Sequence, residues 1–328
     1  MQRSSTPAGL AAALIAAITF GTSGSLVKPL LEAGWSPAAA VTVRAVVAGV
    51  LLLPLAAWSL RGRWSALWRA RLRILGMGLI GVALTQLAYF AAIQTIPVST
   101  ALLVEFLAPL LLVALAWAST RRMPRPSVLI GSVLAVGGLI LVIGPGALQA
   151  VDPLGLAAAF TAAFGCAAYF LIAARPSHDL PAVALAAFGL LLGGLLLALL
   201  GAVGVLSFTA TFADLPLFGA SAPWWVPLLL LALVAGALAY AAGITASALL
   251  GSRVASFVGL LEVVFASVFA WLLLDERLSL LQLLGGALIL GGIAAVRTES
   301  EDVPAGVEPL VGDDDHLPLV GQGDQVRR

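Results

Sequence analysis

The chain has 328 residues, of which 61% are hydrophobic and 10% are charged. A soluble domain of this size would carry about a quarter charged residues, so the composition excludes a soluble globular protein and indicates an integral membrane protein. The formal net charge of +1 identifies no partner, because in such a protein the positions of the charges matter more than their sum.

Apolar runs long enough to cross about 30 Å of hydrocarbon follow one another along the chain, and none alternates with period two as a barrel strand would. Proline, glycine and charge clusters separate these runs. The predicted spans cover residues 8–27, 37–58, 74–93, 98–118, 127–144, 154–174, 181–204, 225–247, 254–274 and 280–296. The predicted fold class is therefore an all-α integral membrane protein with ten transmembrane helices.

The arginines lie mostly in alternate loops. If the N-terminus is cytoplasmic, the inside loops hold most of the arginines, among them Arg63, Arg122 and Arg175, whereas the outside segments hold only Lys28 and Arg277. Positively charged residues are retained in cytoplasmic loops. We therefore predict that both termini are cytoplasmic.

The two halves of the chain repeat each other. Glu105 and Glu262, each inside a predicted span, coincide at the same offset that aligns Ser99 with Ser256. Because each half has five spans, an odd number, the second copy must enter the membrane inverted relative to the first, as in many secondary transporters. The predicted units are a first five-helix repeat at 1–145, a second five-helix repeat at 146–297 and a tail at 298–328.

The tail differs in composition from the rest of the chain, because acidic residues replace the apolar runs. Such a segment is predicted to be a disordered, acidic cytoplasmic tail. The sequence Pro-Leu-Val-Gly occurs at 309–312 and again at 318–321. This small repeat is either a docking motif or ordinary low-complexity sequence.

Several stretches resemble a known family. They are FGTSGSLVKPLL at 20–31, the segment from Pro37 to Arg44, IPVSTALLVEFLAPLL at 96–111 and LLLDERLSLLQLLGGALILGGI at 272–293. Over about residues 8–296 the chain is similar to the drug/metabolite transporter superfamily, specifically the EamA-type ten-span bacterial permeases. The resemblance implies a secondary transporter in the bacterial plasma (inner) membrane. It implies no particular substrate, since related members export amino acids, nucleotide-type metabolites or drugs.

Three ionisable residues lie within the predicted spans, namely Arg44, Glu105 and Glu262. An ionised side chain at mid-bilayer costs about 2.5–3.5 kcal/mol, so each glutamate either locks helix contacts through hydrogen bonds or serves as a proton or cationic-substrate site. Arg44 and Glu105 lie at similar depths, so a salt bridge between them is geometrically allowed. Glu262 has no obvious basic partner and is the better candidate to take up and release a proton.

Further polar residues are candidates for the wall of a cavity. Tyr89 and Tyr240 occupy matching spans and either line a cavity or pack. Ser23 and Gln86 are plausible wall residues, as are Thr22 and Ser25, although serine and threonine often bond back to their own helix.

The sequence gives no support for an enzyme. A glycine pattern at 76–81 matches a dinucleotide fingerprint in spacing, but it lies in a predicted span instead of a βαβ unit. The two histidines, His178 and His316, lie in a loop and in the tail, and no P-loop is present. We therefore predict no enzyme activity, no cofactor and no metal site.

The predicted function is secondary transport, with export as the favoured direction, of a small metabolite, amino acid or drug by alternating access. The predicted partners are a small-molecule substrate and the lipid bilayer, with protons as a candidate coupling ion and without nucleic acid. The alternative is a membrane scaffold or sensor on the same fold that acts through its acidic tail. Substrate, direction, coupling ion and oligomeric state are left open.

Overall fold

The computed structural model of the chain describes residues 5–96, 98–121, 123–144, 152–175, 180–274 and 279–301. Within these ranges, 8 helices are long and apolar enough to cross a membrane, and two shorter apolar helices, Leu261–Leu274 and Leu280–Val296, follow them. The chain is therefore a multi-pass helical membrane protein. The number of ten complete crossings stays a prediction, because the last two apolar helices are shorter than the others.

The regular elements of the first half are all helices in the described residues. Its elements are α1 (Ser5–Gly21), α2 (Ser23–Glu32), α3 (Pro37–Ser59), α4 (Ser65–Arg69), α5 (Arg71–Gly76), the π-helix π1 (Met77–Leu84), α6 (Thr85–Ala92), α7 (Val98–Glu105), α8 (Ala108–Thr120) and α9 (Pro126–Ile143).

The second half adds a short hairpin in one of its loops. Its elements are α10 (Pro153–Ala174), α11 (Ala182–Ala202), β1 (Leu215–Leu217), β2 (Ala220–Ala222), α12 (Trp225–Leu230), the π-helix π2 (Leu231–Leu238), α13 (Ala239–Gly259), α14 (Leu261–Leu274) and α15 (Leu280–Glu301). π-Helical turns are rare and often lie at functional sites. Each half has one in its third span, just before the tyrosine that the sequence singled out.

Two predicted spans of the first half are interrupted. α1 and α2 meet at Thr22, whose hydroxyl donates to the carbonyl of Thr19 (2.7 Å). α7 ends at Glu105, and α8 begins two residues later. Pro109, near the start of α8, has no N–H to donate to the carbonyl of Glu105, so a regular helix cannot continue through this point.

The prediction of one continuous helix over 254–274 is wrong. A helical segment runs from Trp225 to Gly259 and is kinked at Gly251, where φ is 79° and ψ is 163°. Glycine adopts this left-handed φ without the steric cost that other residues meet. The chain then turns at Leu260, and α14 begins at Leu261. The helix is therefore divided immediately before Glu262.

The helices of the two halves pack across each other. α1 packs against α13 and α14, and α10 packs against α6 and α7. α3 packs against α11, and α9 packs against α15. Exchanging the halves converts the pairings of α1 with α13 and α14 into those of α10 with α6 and α7. It leaves the pairings of α3 with α11 and of α9 with α15 unchanged. The largest interfaces of the fold therefore join the halves, and a site between them is built from both.

The loop between α11 and α12 folds back over the turn between α2 and α3. The ring nitrogen of Trp35 donates to the carbonyl of Thr211 (2.8 Å), and the amide of Ser36 donates to the carbonyl of Thr209 (3.0 Å). Trp35 also stacks on Trp224, with ring centroids 5.9 Å apart. These contacts hold the C-terminal end of α2 against the second half.

The predicted tail lies mostly outside the described residues, as do both Pro-Leu-Val-Gly motifs and both histidines. The last described helix, α15, continues to Glu301 and so includes the first residues of the segment predicted as tail. The glycine pattern at 76–81 overlaps π1. A Cβ at Gly78 would lie 3.0 Å from the carbonyl oxygen of Gly189, which supports a role in close helix packing.

Candidate functional site

A cavity of about 600 Å³ lies between the two halves. Its walls come from α1, α2, α3, α6, α7, α10, α13 and α14, together with single residues of π1 and α9. Its polar and charged lining consists of Ser23, Arg44, Thr85, Gln86, Tyr89, Glu105, Cys166, Tyr169, Tyr240 and Glu262. A concave site with an apolar wall and a few converging polar groups is the usual form of a small-molecule site.

Both glutamates reach the cavity at an interruption of their helix. Glu105 is the last residue of α7, and Glu262 is the second residue of α14. Both side chains are half-buried. Transporters commonly place irregular backbone where it lines a cavity. Here the two breaks place one carboxyl group from each half in the same space.

Arg44 lies in the cavity but does not pair with Glu105. One guanidinium nitrogen, Nη1, donates to the hydroxyl oxygen of Ser23 at 3.1 Å. Among the described residues, no cation lies within the 4 Å of an ion pair from either Glu105 or Glu262. The salt bridge that the sequence allowed is therefore absent, because the arginine is directed towards α2 and not towards α7.

Aromatic rings form a continuous cluster along the wall from α1 to α10. Phe20 contacts Tyr240 edge-on with ring centroids 5.2 Å apart, Tyr240 contacts Tyr169 at 5.8 Å, and Tyr169 contacts Phe170 at 5.1 Å. Edge-to-face pairs of this kind add to the stability that burial alone provides. The cluster gives the cavity a rigid apolar side across which both halves are in contact.

The hydroxyl of Tyr169 is buried and has no hydrogen-bond partner among the described residues. It lies against Gly243, where an added Cβ would be only 2.6 Å from the hydroxyl oxygen. Glycine at 243 therefore makes the space that this hydroxyl occupies.

All of the site residues predicted from the sequence line this cavity: Ser23, Arg44, Gln86, Tyr89, Glu105, Tyr240 and Glu262. Two further wall candidates, Thr22 and Ser25, are not in the lining, and the Thr22 hydroxyl bonds back to its own helix.

Sequence reasoning missed Thr85, Cys166 and Tyr169 as lining residues. No pattern in the sequence singled out Tyr169. The chain has 3 tyrosines, and all of them line the cavity. Among the described residues, no group of three histidine, cysteine or carboxylate side chains comes together as metal ligands would.

Comparison with known proteins places the chain in a family. The model of the EamA-like transporter family matches twice, over residues 7–144 and 153–298. A solved crystal structure of a protein that is 20% identical is similar over 92% of this chain and 99% of that chain, with a TM-score of 0.70; at this identity the likeness shows the fold alone. A search of curated proteins finds no match. With two matches that together cover most of its length, this chain belongs to the EamA-like transporter family.

Proposed function

We propose that this protein is a secondary transporter that carries a small metabolite, amino acid or drug by alternating access. The observation that carries the proposal is the cavity of about 600 Å³ between the halves, into which each half contributes one glutamate at a helix break. A site at the interface of two repeats can be exposed to either side when one repeat moves against the other.

The packing supports two repeats of inverted topology. The pairings of α1 with α13 and α14 correspond to those of α10 with α6 and α7 when the halves are exchanged. Repeats with five spans each enter the membrane in opposite directions, which gives a pseudo-two-fold relation in the membrane plane. On this arrangement both termini are cytoplasmic, in a bacterial inner membrane.

With that orientation the cavity extends from mid-membrane to the outer face. On α3, which begins at the outer face, the lining residues are Pro37, Val41 and Arg44, all near the start of the helix. α9 contributes only Ile143, its last residue. At the cytoplasmic end Arg73 donates to the carbonyls of Ile172 and Ala173, each at 3.0 Å, and joins the halves. In this orientation the cavity is open to the outer face. The family resemblance favours export, and in an export cycle the protein would return to an inward-facing state to load its substrate.

Proton coupling is assigned to the two glutamates. They are the carboxylates of the cavity lining, and neither has a cation within 4 Å among the described residues. A carboxyl group without a fixed partner can exchange a proton as the cavity changes sides. Glu262 is the principal proton site in this scheme. The arginine of the cavity lining, Arg44, belongs to the same half as Glu105, whereas the lining residues of the second half include no basic side chain.

The experiment has two stages. Untargeted metabolite profiling of cells with and without the protein identifies the substrate, and flux of that substrate is then measured in vesicles across a pH gradient. Glu262→Gln should abolish flux driven by the pH gradient while folded yield is retained. Glu32→Gln, which changes an exposed carboxylate outside the cavity, should leave both unchanged.

Full pH-driven flux in Glu262→Gln would refute the proton-site role. No change in any metabolite between the two kinds of cell would favour the scaffold or sensor alternative. Deleting residues 298–328 would abolish the role of a scaffold or sensor that acts through the tail, whereas a transporter should keep its flux.

A further inference from the structure

The connection between α3 and π1 is strongly basic and has no acidic residue nearby in the chain. It contains Arg61, Arg63, Arg69, Arg71 and Arg73, and the sequence has no aspartate or glutamate from residue 33 to residue 104. All of these arginines except Arg73 are exposed. The guanidinium groups therefore form a local positive surface.

The same connection also exposes large apolar side chains. Trp64 is 54% exposed, Trp68 is 72% exposed and Leu72 is 74% exposed, at a spacing of four residues. The series continues into the membrane span with Leu75 and Leu79, which are each 40% exposed. Trp64 and Trp68 belong to the N-cap and body of α4, and Leu72 lies in α5 beyond the turn at Ala70. The exposed apolar side chains of the span thus continue beyond its end as two tryptophans, which favour the membrane–water interface.

Two of these arginines donate to backbone carbonyls close by in the chain, and one of them lies over an exposed tryptophan ring. The guanidinium of Arg71 lies over the ring of Trp68, 4.8 Å from its centroid, and its Nη1 donates to the carbonyl of Trp68 (3.0 Å). Arg63 donates through Nη2 to the carbonyl of Ser59 (3.0 Å). Each guanidinium has five N–H donors in a planar fork that matches the oxygens of a phosphate.

We propose that the surface formed by residues 60–73, the basic platform, binds the headgroups of anionic phospholipids. The basic side chains supply charge and donors for the phosphate, and the tryptophan series fixes the platform at headgroup depth. A soluble acidic segment, such as the tail of this chain, would satisfy the arginines but would leave Trp68 and Leu72 exposed to water. A lipid satisfies both features at once.

The test uses the purified full-length protein in dodecyl maltoside, titrated with dioctanoyl phosphatidylglycerol and followed by native mass spectrometry. Each arginine near an anionic surface strengthens binding about fivefold. Arg61→Gln combined with Arg71→Gln should therefore raise the Kd of the first bound phosphatidylglycerol about 25-fold. Arg121→Gln combined with Arg125→Gln, a control that also removes two exposed arginines from a loop of the same side, should change it less than threefold.

Three further measurements test whether the basic platform binds an anionic lipid, any phosphate or the acidic tail of this chain. Dioctanoyl phosphatidylcholine should bind at least tenfold more weakly than phosphatidylglycerol, and inorganic phosphate should not compete at millimolar concentration. Neutralising the tail by changing Asp313, Asp314 and Asp315 together to asparagine should leave the Kd unchanged. An equal loss of binding in both arginine pairs, equal binding of the two lipids, competition by phosphate, or tighter binding after neutralisation of the tail would each overturn the proposal.

Discussion

The crossing of α9 and α15 gives a prediction in which adjacent glycines serve as test and control. At Gly138 an added Cβ would lie 2.5 Å from the carbonyl oxygen of Gly285 and 2.8 Å from the backbone nitrogen of Ile289. At Gly137 an added Cβ would meet no atom within 4 Å. Gly138→Ala should therefore force two backbones apart, whereas Gly137→Ala adds a methyl group in open space.

The magnitude follows from the difference between the two variants. Alanine is favoured over glycine in a helix by about 1 kcal/mol, and this gain applies equally to both positions. Overpacking of a well-packed contact costs about 1–3 kcal/mol, and here it applies to Gly138 alone. Because the atoms that would be struck are backbone, rotation of a side chain cannot relieve the clash. Gly138→Ala should therefore be about 1–3 kcal/mol less stable than Gly137→Ala.

The assay is folded yield by size-exclusion chromatography in detergent, together with the thermal unfolding midpoint. The reciprocal pair repeats the test on α15: a Cβ at Gly285 would lie 2.6 Å from the carbonyl oxygen of Gly138, whereas at Gly291 the nearest atom is a side-chain carbon of Leu134 at 3.9 Å. Equal midpoints for the two members of each pair would refute the reasoning.

Three other predictions follow, two from single contacts and one from the distribution of arginines among the loops. Arg73→Gln should lower stability by about 2–3 kcal/mol, seen as a lower unfolding midpoint, because charged donors to the carbonyls that end α10 are lost; an unchanged midpoint would count against the contact. Tyr169→Phe should leave the free energy of unfolding unchanged or raise it by about 1 kcal/mol, seen as an equal or higher midpoint, since the hydroxyl has no partner among the described residues; a clear loss would show that the hydroxyl is bonded. In a background without Cys166, cysteine at Arg63 should be protected from an impermeant thiol reagent in intact cells and cysteine at Asp214 should be labelled; the reverse pattern would invert the orientation.

The cavity residues were predictable because charge and strong polarity are conspicuous in an apolar chain. Arg44, Glu105 and Glu262 interrupt runs in which almost every other residue is hydrophobic, and the energetic penalty for such groups in lipid points them to the interior. The same argument fails for Tyr169. A tyrosine in an alanine-rich run can pack as a hydrophobic ring, so only its position beside Gly243 reveals that it lines the site.

The two helix interruptions beside the glutamates were harder to predict, because only one of the two has a local signal. Pro109 marks the break after Glu105, since it removes a backbone donor. No proline marks the turn at Leu260, where the chain is instead positioned by packing against the other half. The period of the apolar residues reports the length of a span but not a one-residue break within it, so sequence periodicity merged α14 with the end of α13.

The position of Arg44 changes what is expected of Glu105. From the sequence, a salt bridge between them would make Glu105→Gln destabilising, because Arg44 would be left unpaired. In the structure Arg44 donates to Ser23 at 3.1 Å, and no ion pair joins it to Glu105. Glu105→Gln keeps the size of the side chain and leaves that hydrogen bond intact, so its folded yield should stay close to that of the native chain. Any loss should appear in substrate flux instead.

Ser23→Ala is the matched perturbation, because it removes the acceptor that Arg44 uses. A hydrogen bond to a charged group contributes about 1.5–3 kcal/mol, and the guanidinium would remain half-buried without that partner, so folded yield and unfolding midpoint should fall. The ranking of the two variants by folded yield decides between the arrangements. A salt bridge between Arg44 and Glu105 predicts the lower yield for Glu105→Gln, whereas a hydrogen bond from Arg44 to Ser23 predicts the lower yield for Ser23→Ala. A yield for Glu105→Gln at or below that of Ser23→Ala would mean that Arg44 is held by the glutamate, and that the cavity keeps only Glu262 as a carboxyl group without a fixed partner.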